Sequence, residues 1–278
     1  MKLKEISSDL LSDYRDKDIS FEELAVELKV SRQTLTKYFK QNNIDTNKAL
    51  KRKNIKHDYF DSINTPTKAY LLGYYIADGC CTLQKSKYTI NKSIKFSCTE
   101  QDIEILHFVK KELGLTNKIT ISKSYKIRNT NYISKPMASI SVVSNNMFET
   151  LTNYNLGQNK TYNSYYIPKI DNDLIIYLIL GYFDGDGCLS ISKGIRNNGY
   201  KYHNFQFSFT CHNVDFLKDI QKYFKTINIE SFIRKTKDSY ILDISKRKDI
   251  LKIKELFYLN DLNLGLNRKK VKFMEIPC

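Results

Sequence analysis

Apolar positions along the chain follow two periods. In the first they recur every three to four residues: Tyr70, Leu71, Gly73, Tyr74 and Ala77 share one helical face, and residues 103–113 and 214–224 carry amphipathic helical patterns. In the second they alternate with polar residues. Ser93-Ile94-Lys95-Phe96-Ser97-Cys98 reads this way, as a half-buried strand does, and so do residues 202–209. Residues 119–127, 137–143, 231–235 and 240–244 predict further hairpin strands. Pro66 suits a first helical turn, and Gly79 and Gly187 stop two helices.

The pattern repeats. Leu71-Leu72-Gly73-Tyr74-Tyr75-Ile76-Ala77-Asp78-Gly79-Cys80 is answered by Ile179-Leu180-Gly181-Tyr182-Phe183-Asp184-Gly185-Asp186-Gly187-Cys188, 108 positions later. Phe96-Ser97-Cys98-Thr99 is answered by Phe207-Ser208-Phe209-Thr210. Asn155-Leu156-Gly157 is answered by Asn263-Leu264-Gly265, and Ile167-Pro168 by Ile276-Pro277. Matched blocks in one order at a nearly constant offset indicate a duplication. Residues 66–168 and 169–278 are expected to be two copies of one unit, each running helix, two strands, helix, two strands, helix. The fold class is α+β.

The first fifty residues have a different pattern. An amphipathic helix over residues 19–28 is followed, after a short turn, by a second helix that Ser31 caps. Val30, Leu35 and Phe39 are expected to face inward, with Ala25 where the helices cross. Arg32, Gln33, Thr34, Thr36 and Lys37 then project outward. This resembles small helix-turn-helix DNA-binding domains, with Lys29 and Val30 where the turn usually has glycine. Residues 51–65, rich in Lys and Asn, read as a basic linker.

The charge of +15 favours an extended polyanion as partner. Lys85, Lys95, Lys123, Lys193, Arg196 and Arg234 lie on or beside expected strands and are candidate DNA contacts. The six Cys include no CxxC pair, so a zinc site is disfavoured and a reducing, intracellular setting is expected. No stretch of about 18 apolar residues predicts a membrane span, and the N-terminus lacks a signal-peptide core.

The chemistry lies in the paired motifs. Gly73 and Ala77, like Gly181 and Gly185, are small residues at spacing four, which lets two helices approach closely. Asp78 and Asp186 would then sit together at two helix C-termini. That is electrostatically poor for carboxylates, and a divalent cation with oxygen ligands, Mg²⁺ or Mn²⁺, would relieve it.

These motifs resemble those of single-chain LAGLIDADG homing endonucleases, over residues 66–278. The resemblance implies two αββαββα halves forming a DNA-binding saddle, and metal-dependent cleavage of both strands of double-stranded DNA. It makes Asp78 and Asp186 catalytic metal ligands, with the adjoining Gly79 and Gly187 beside the metal. It adds Lys160, Arg268, Lys269 and Glu100 around the scissile phosphates, with Cys211 opposite Glu100 in the second half. It implies a monomer acting on a long asymmetric site. Intron RNA binding as a maturase, or regulation of DNA without cleavage, are the alternatives; retention of both Asp favours cleavage.

Overall fold

The computed structural model describes residues 21–42, 54–85, 90–126, 128, 130–195, 199, 201–258 and 262–277. Arg196 lies outside the described residues. The N-terminal hairpin pairs α1 (Phe21–Glu27) with α2 (Arg32–Gln41). Leu24, Ala25, Leu28, Leu35 and Phe39 form a core of their own, distinct from the main one. The Ser31 hydroxyl accepts from the Thr34 amide at 3.1 Å, so the expected cap is present. Lys29 takes the glycine-favouring conformation at φ 52°, and the Val30 amide closes the turn on Ala25 O.

The remaining elements are α3 (Pro66–Asp78), β1 (Gly79–Lys85), β2 (Ile90–Thr99), α4 (Glu104–Glu112), β3 (Thr120–Ser122), β4 (Met137–Val143) and α5 (Asn145–Asn153). They recur as α6 (Asn172–Asp186), β5 (Gly187–Ile195), β6 (Lys201–Cys211), α7 (Val214–Thr226), β7 (Phe232–Lys235), β8 (Tyr240–Ile244) and α8 (Arg247–Tyr258). A last helix, α9 (Asn267–Met274), follows. The two antiparallel sheets have matching orders, β1-β2-β4-β3 and β5-β6-β8-β7. In each, alternate residues enter one continuous core: Ile94, Phe96 and Cys98 on β2, and Phe205, Phe207 and Phe209 on β6. The opposite faces carry Cys80, Thr82, Ser93, Lys95 and Ser97 in the first half, and Cys188, Ser190, Gln206, Ser208 and Asp243 in the second.

Three expectations change. Residues 54–65 are not a free linker: Tyr59, Phe60 and Ile63 are buried in the first half. Asp61 accepts from Asn146 and Thr150, and Tyr154 donates to Phe60 O. Strand β3 is three residues long, because the described residues just beyond it include no buried apolar position to hold a ladder; a Lys126–Ile133 bridge stands there. Gly79 and Gly187 follow their helices without a left-handed cap, and glycine is required there for a steric reason. Their backbones are extended (φ −85° and −81°), and a Cβ would fall 2.1 Å from the Tyr75 ring or 2.2 Å from the Phe183 ring.

Candidate active site

Helices α3 and α6 cross with backbones touching. A Cβ on Gly73 would lie 1.9 Å from Leu178 O, and one on Gly181 would lie 1.9 Å from Tyr70 O. The two clashes are equivalent under the duplication, so the small-residue spacing is a steric requirement of the crossing. One turn on, a Cβ on Gly185 would meet Ala77 Cβ at 2.3 Å and Asp78 Oδ2 at 3.1 Å. The Asp78 carboxylate therefore lies against the residue preceding Asp186. Each motif helix is also tied to its sheet: the Tyr74 hydroxyl donates to Ser97 O at 3.0 Å, and the Tyr182 hydroxyl to Thr210 O at 3.3 Å.

Asp78 and Asp186 reach solvent at the surface but are crowded by protein on their other sides. Burial, and then the neighbouring Asp186 charge, push Asp78 up to about 6; Lys160 and Lys269 pull it back down. Burial also raises Asp186, against the same two lysines. The charged forms are thus held at a cost that a further cation would offset.

The two lysines occupy corresponding places, each on the C-terminal carbonyls of a motif helix. Lys160 Nζ donates to Ala77 O at 3.2 Å. Lys269 Nζ donates to Phe183 O and, at 2.8 Å, to Gly187 O. Phe183 O also accepts from the Gly187 amide, and the charge of both lysines complements the dipole of the helix end beside it. Burial lowers both ammonium groups, Lys269 to about 8. The resemblance puts Gly187 beside the metal, yet its carbonyl already accepts from Lys269.

Arg268 does not join the lysines. Its guanidinium forms a bidentate pair with the buried Asp102 of the first half, at 2.5 and 2.8 Å. Beside it, Asn267 donates from backbone and side chain to Glu104 at 3.1 and 3.0 Å. Residues 267 and 268 therefore clamp the second half onto the first, and Lys269 is the counterpart of Lys160. Glu100 stands exposed at the start of a short 3₁₀ turn and is not among the groups that shift either aspartate. Cys211 is buried, with its sulfur 3.4 Å from the Tyr165 hydroxyl. Lys160, Asp186, Thr210, Cys211 and His212 line a groove of about 370 Å³ on this side of the crossing.

Asp184 has a role that sequence spacing does not reveal. It is buried, accepts from the Tyr70 hydroxyl of the other motif helix at 2.8 Å, and accepts from the Leu266 amide at 2.9 Å. Its other oxygen has no partner among the described residues. Burial raises it to about 6, against Lys269, Tyr70 and Leu266. Asp184 thus fixes the loop that delivers Lys269. The one sequence signal is its place in a motif whose other copy has Ile76.

Of the candidate nucleic-acid contacts, Lys95 lies on the uncovered face of its sheet and Arg234 on that of the second. Lys85 and Lys193 are exposed at strand ends, on the side shared by Leu83 and Ile191, and Lys123 is exposed beyond β3. Arg32, Gln33, Thr34, Thr36 and Lys37 are spread along α2 away from its buried Leu35 and Phe39, with Arg32 paired to Glu22 at 2.8 Å. Among the described residues no helix is long and apolar enough to cross a membrane.

Residues 179–275 match the family model of the LAGLIDADG endonucleases. No curated protein matches the chain. The LAGLIDADG meganuclease I-CpaMI, solved bound to uncleaved DNA, is 14% identical at a TM-score of 0.52, over 76% of this chain and 90% of that one. The LAGLIDADG homing endonuclease I-SmaMI, solved bound to cleaved DNA, is 16% identical at a TM-score of 0.51, over 76% and 86%. The chain therefore has the fold of LAGLIDADG meganucleases, and its second half carries the sequence signature of LAGLIDADG endonucleases.

Proposed function

We propose that the chain is a site-specific endonuclease that hydrolyses both strands of a long, asymmetric DNA duplex as a monomer. The observation that carries this reading is the glycine-lined crossing of α3 and α6, which sets Asp78 and Asp186 side by side with Lys160 and Lys269 beneath them. Two halves in one polypeptide supply one carboxylate and one lysine each, which suits two scissile phosphates.

The residues fit a divalent metal by donor chemistry. Two crowded carboxylates with raised proton affinities are oxygen donors for a hard cation. Among the described residues no three His, Cys, Asp or Glu side chains converge, so water and phosphate oxygens would complete the shell, as Mg²⁺ prefers. Asp78 and Asp186 would hold Mg²⁺ or Mn²⁺, which supplies charge neutralisation at phosphate and a more acidic bound water. Lys160 and Lys269 hold positive charge near the developing negative charge while fixing the helix ends. The Ser, Thr, Gln, Lys and Arg side chains of the uncovered sheet faces offer donors and acceptors for base edges and phosphates. The α1–α2 hairpin would add contacts at one end of the target.

The test is incubation of the chain with a randomised duplex library in Mg²⁺, with sequencing of the cut ends. Paired breaks at a recurring sequence, absent in EDTA, are expected. Cutting undiminished by EDTA, or no recurring sequence, would contradict the reading.

A further inference from the structure

Among the eight described strands, Asp243 on β8 is the one acidic residue. It stands on the uncovered face, since its neighbours Leu242 and Ile244 are buried and its register partners are Ser208 and Phe232. On a face that meets phosphates, a carboxylate weakens binding by repulsion, so its presence there calls for a compensating role.

Its surroundings show what that is. Arg234 Nε donates to Asp243 Oδ2 at 2.5 Å, and Gln206 Nε2 donates to Asp243 Oδ1 at 2.7 Å. The Asp243 side chain is recessed at 17% exposure, while Arg234 is 56% exposed. The acid lies below and the two partner heads stand above it, one from β6 and one from β7. A carboxylate only accepts hydrogen bonds, so the amide nitrogen of Gln206 must face it. That leaves the Gln206 carbonyl oxygen and one N–H to face outward. Arg234, held through Nε, presents its terminal nitrogens. These are the groups that read adenine and guanine edges in pairs. The first half has no such unit: Ser97 pairs with Ser139 there, where Ser208 pairs with Asp243.

We infer that Asp243 is a positioning residue for sequence recognition, aiming Arg234 at a guanine and Gln206 at an adenine in the target's second half-site. This rests on the DNA reading above. An unanchored Arg or Gln samples many rotamers and accepts several bases; anchored to one carboxylate, each presents a single donor–acceptor pattern. Asp243 therefore exchanges some general affinity for discrimination.

The experiment selects binding sites for the full-length chain from a randomised duplex library in Ca²⁺, without cleavage. Arg234→Ala and Gln206→Ala each identify the target positions that their side chain reads. Asp243→Asn, and Asp243→Ser, which copies the first half's residue, are then selected in parallel. The expected result is that preference at both sets of positions falls by about tenfold or more, while other positions keep theirs. Binding to bulk non-cognate duplex stays equal or tightens, because a negative charge has gone. Wild-type preferences retained at both sets would overturn the inference. So would an equal loss at every position, which marks a merely structural role. Absence of any wild-type motif would overturn the DNA reading itself and this inference with it.

Discussion

The two halves agree where their motif helices meet and differ in several of the contacts around that crossing. At the crossing, Gly73 and Gly181 make equivalent backbone contacts, Tyr74 and Tyr182 tie equivalent strands, and Lys160 and Lys269 hold equivalent helix ends. Away from it the first half adds residues 54–65 to its core. That addition explains a single residue difference. Gly114 and Asn228 both end a helix at positive φ, but a Cβ at Gly114 would lie 2.1 Å from Asn54 O, so only glycine fits there. The second half instead has Asp184 where the first has Ile76, and its last helix clamps the first half through Arg268 and Asp102. Symmetry is kept where two carboxylates must be placed alike. It relaxes where the surroundings need only hold that placement.

The largest stability effect should come from breaking the shared crossing. Gly73→Leu and Gly181→Leu each drive a side chain into a backbone carbonyl, so each should cost about 3 kcal/mol or more. Chemical denaturation checks this, and the symmetry demands comparable losses. A large loss for one and none for the other would break the comparison.

Asp184 tests the asymmetry through pH. Its folded proton affinity, at about 6, exceeds the usual unfolded value of about 3.9. The stability it contributes is fully present below about pH 4 and is lost as pH rises to about 6, a change on the order of 2–3 kcal/mol. Asp184→Asn keeps an acceptor for Tyr70 and Leu266 but cannot ionise. The variant should therefore show a shallower fall in stability between pH 4 and 6, measured by urea midpoints across that range. Superimposable profiles would remove Asp184 from the account.

Deleting residues 1–50 should leave the main core folded, since the hairpin has its own core. DNA binding should weaken with a shallower salt dependence, by roughly one slope unit for each phosphate that the hairpin neutralises. Footprints should shorten at one end. An unchanged footprint and slope would assign the hairpin a packing role. Within it, Lys29→Gly relieves a left-handed backbone and should stabilise the hairpin by about 1 kcal/mol, seen as a small rise in its melting temperature.

Legibility in the sequence follows the same division. The duplication, both motif helices, the sheets' alternation and the glycine spacing are legible because each is written twice or periodically. Asp184 escapes such a reading because its counterpart is Ile76. The Arg268–Asp102 pair joins residues far apart in the chain, and no local pattern announces it. Adjacency suggests that Arg268 works with Lys269, but neighbours on a helix point different ways. The Lys and Asn content of residues 51–65 suggests a linker and masks the three apolar anchors Tyr59, Phe60 and Ile63.

On the proposed function, one carboxylate from each half should be required for cutting and neither for binding. The direct measurement is strand-resolved cleavage and binding of one recovered target by the wild type, Asp78→Asn and Asp186→Asn, in Mg²⁺. Each variant should bind near wild-type affinity yet cut both strands more slowly by on the order of a hundredfold or more. Wild-type cutting by either variant would contradict the account.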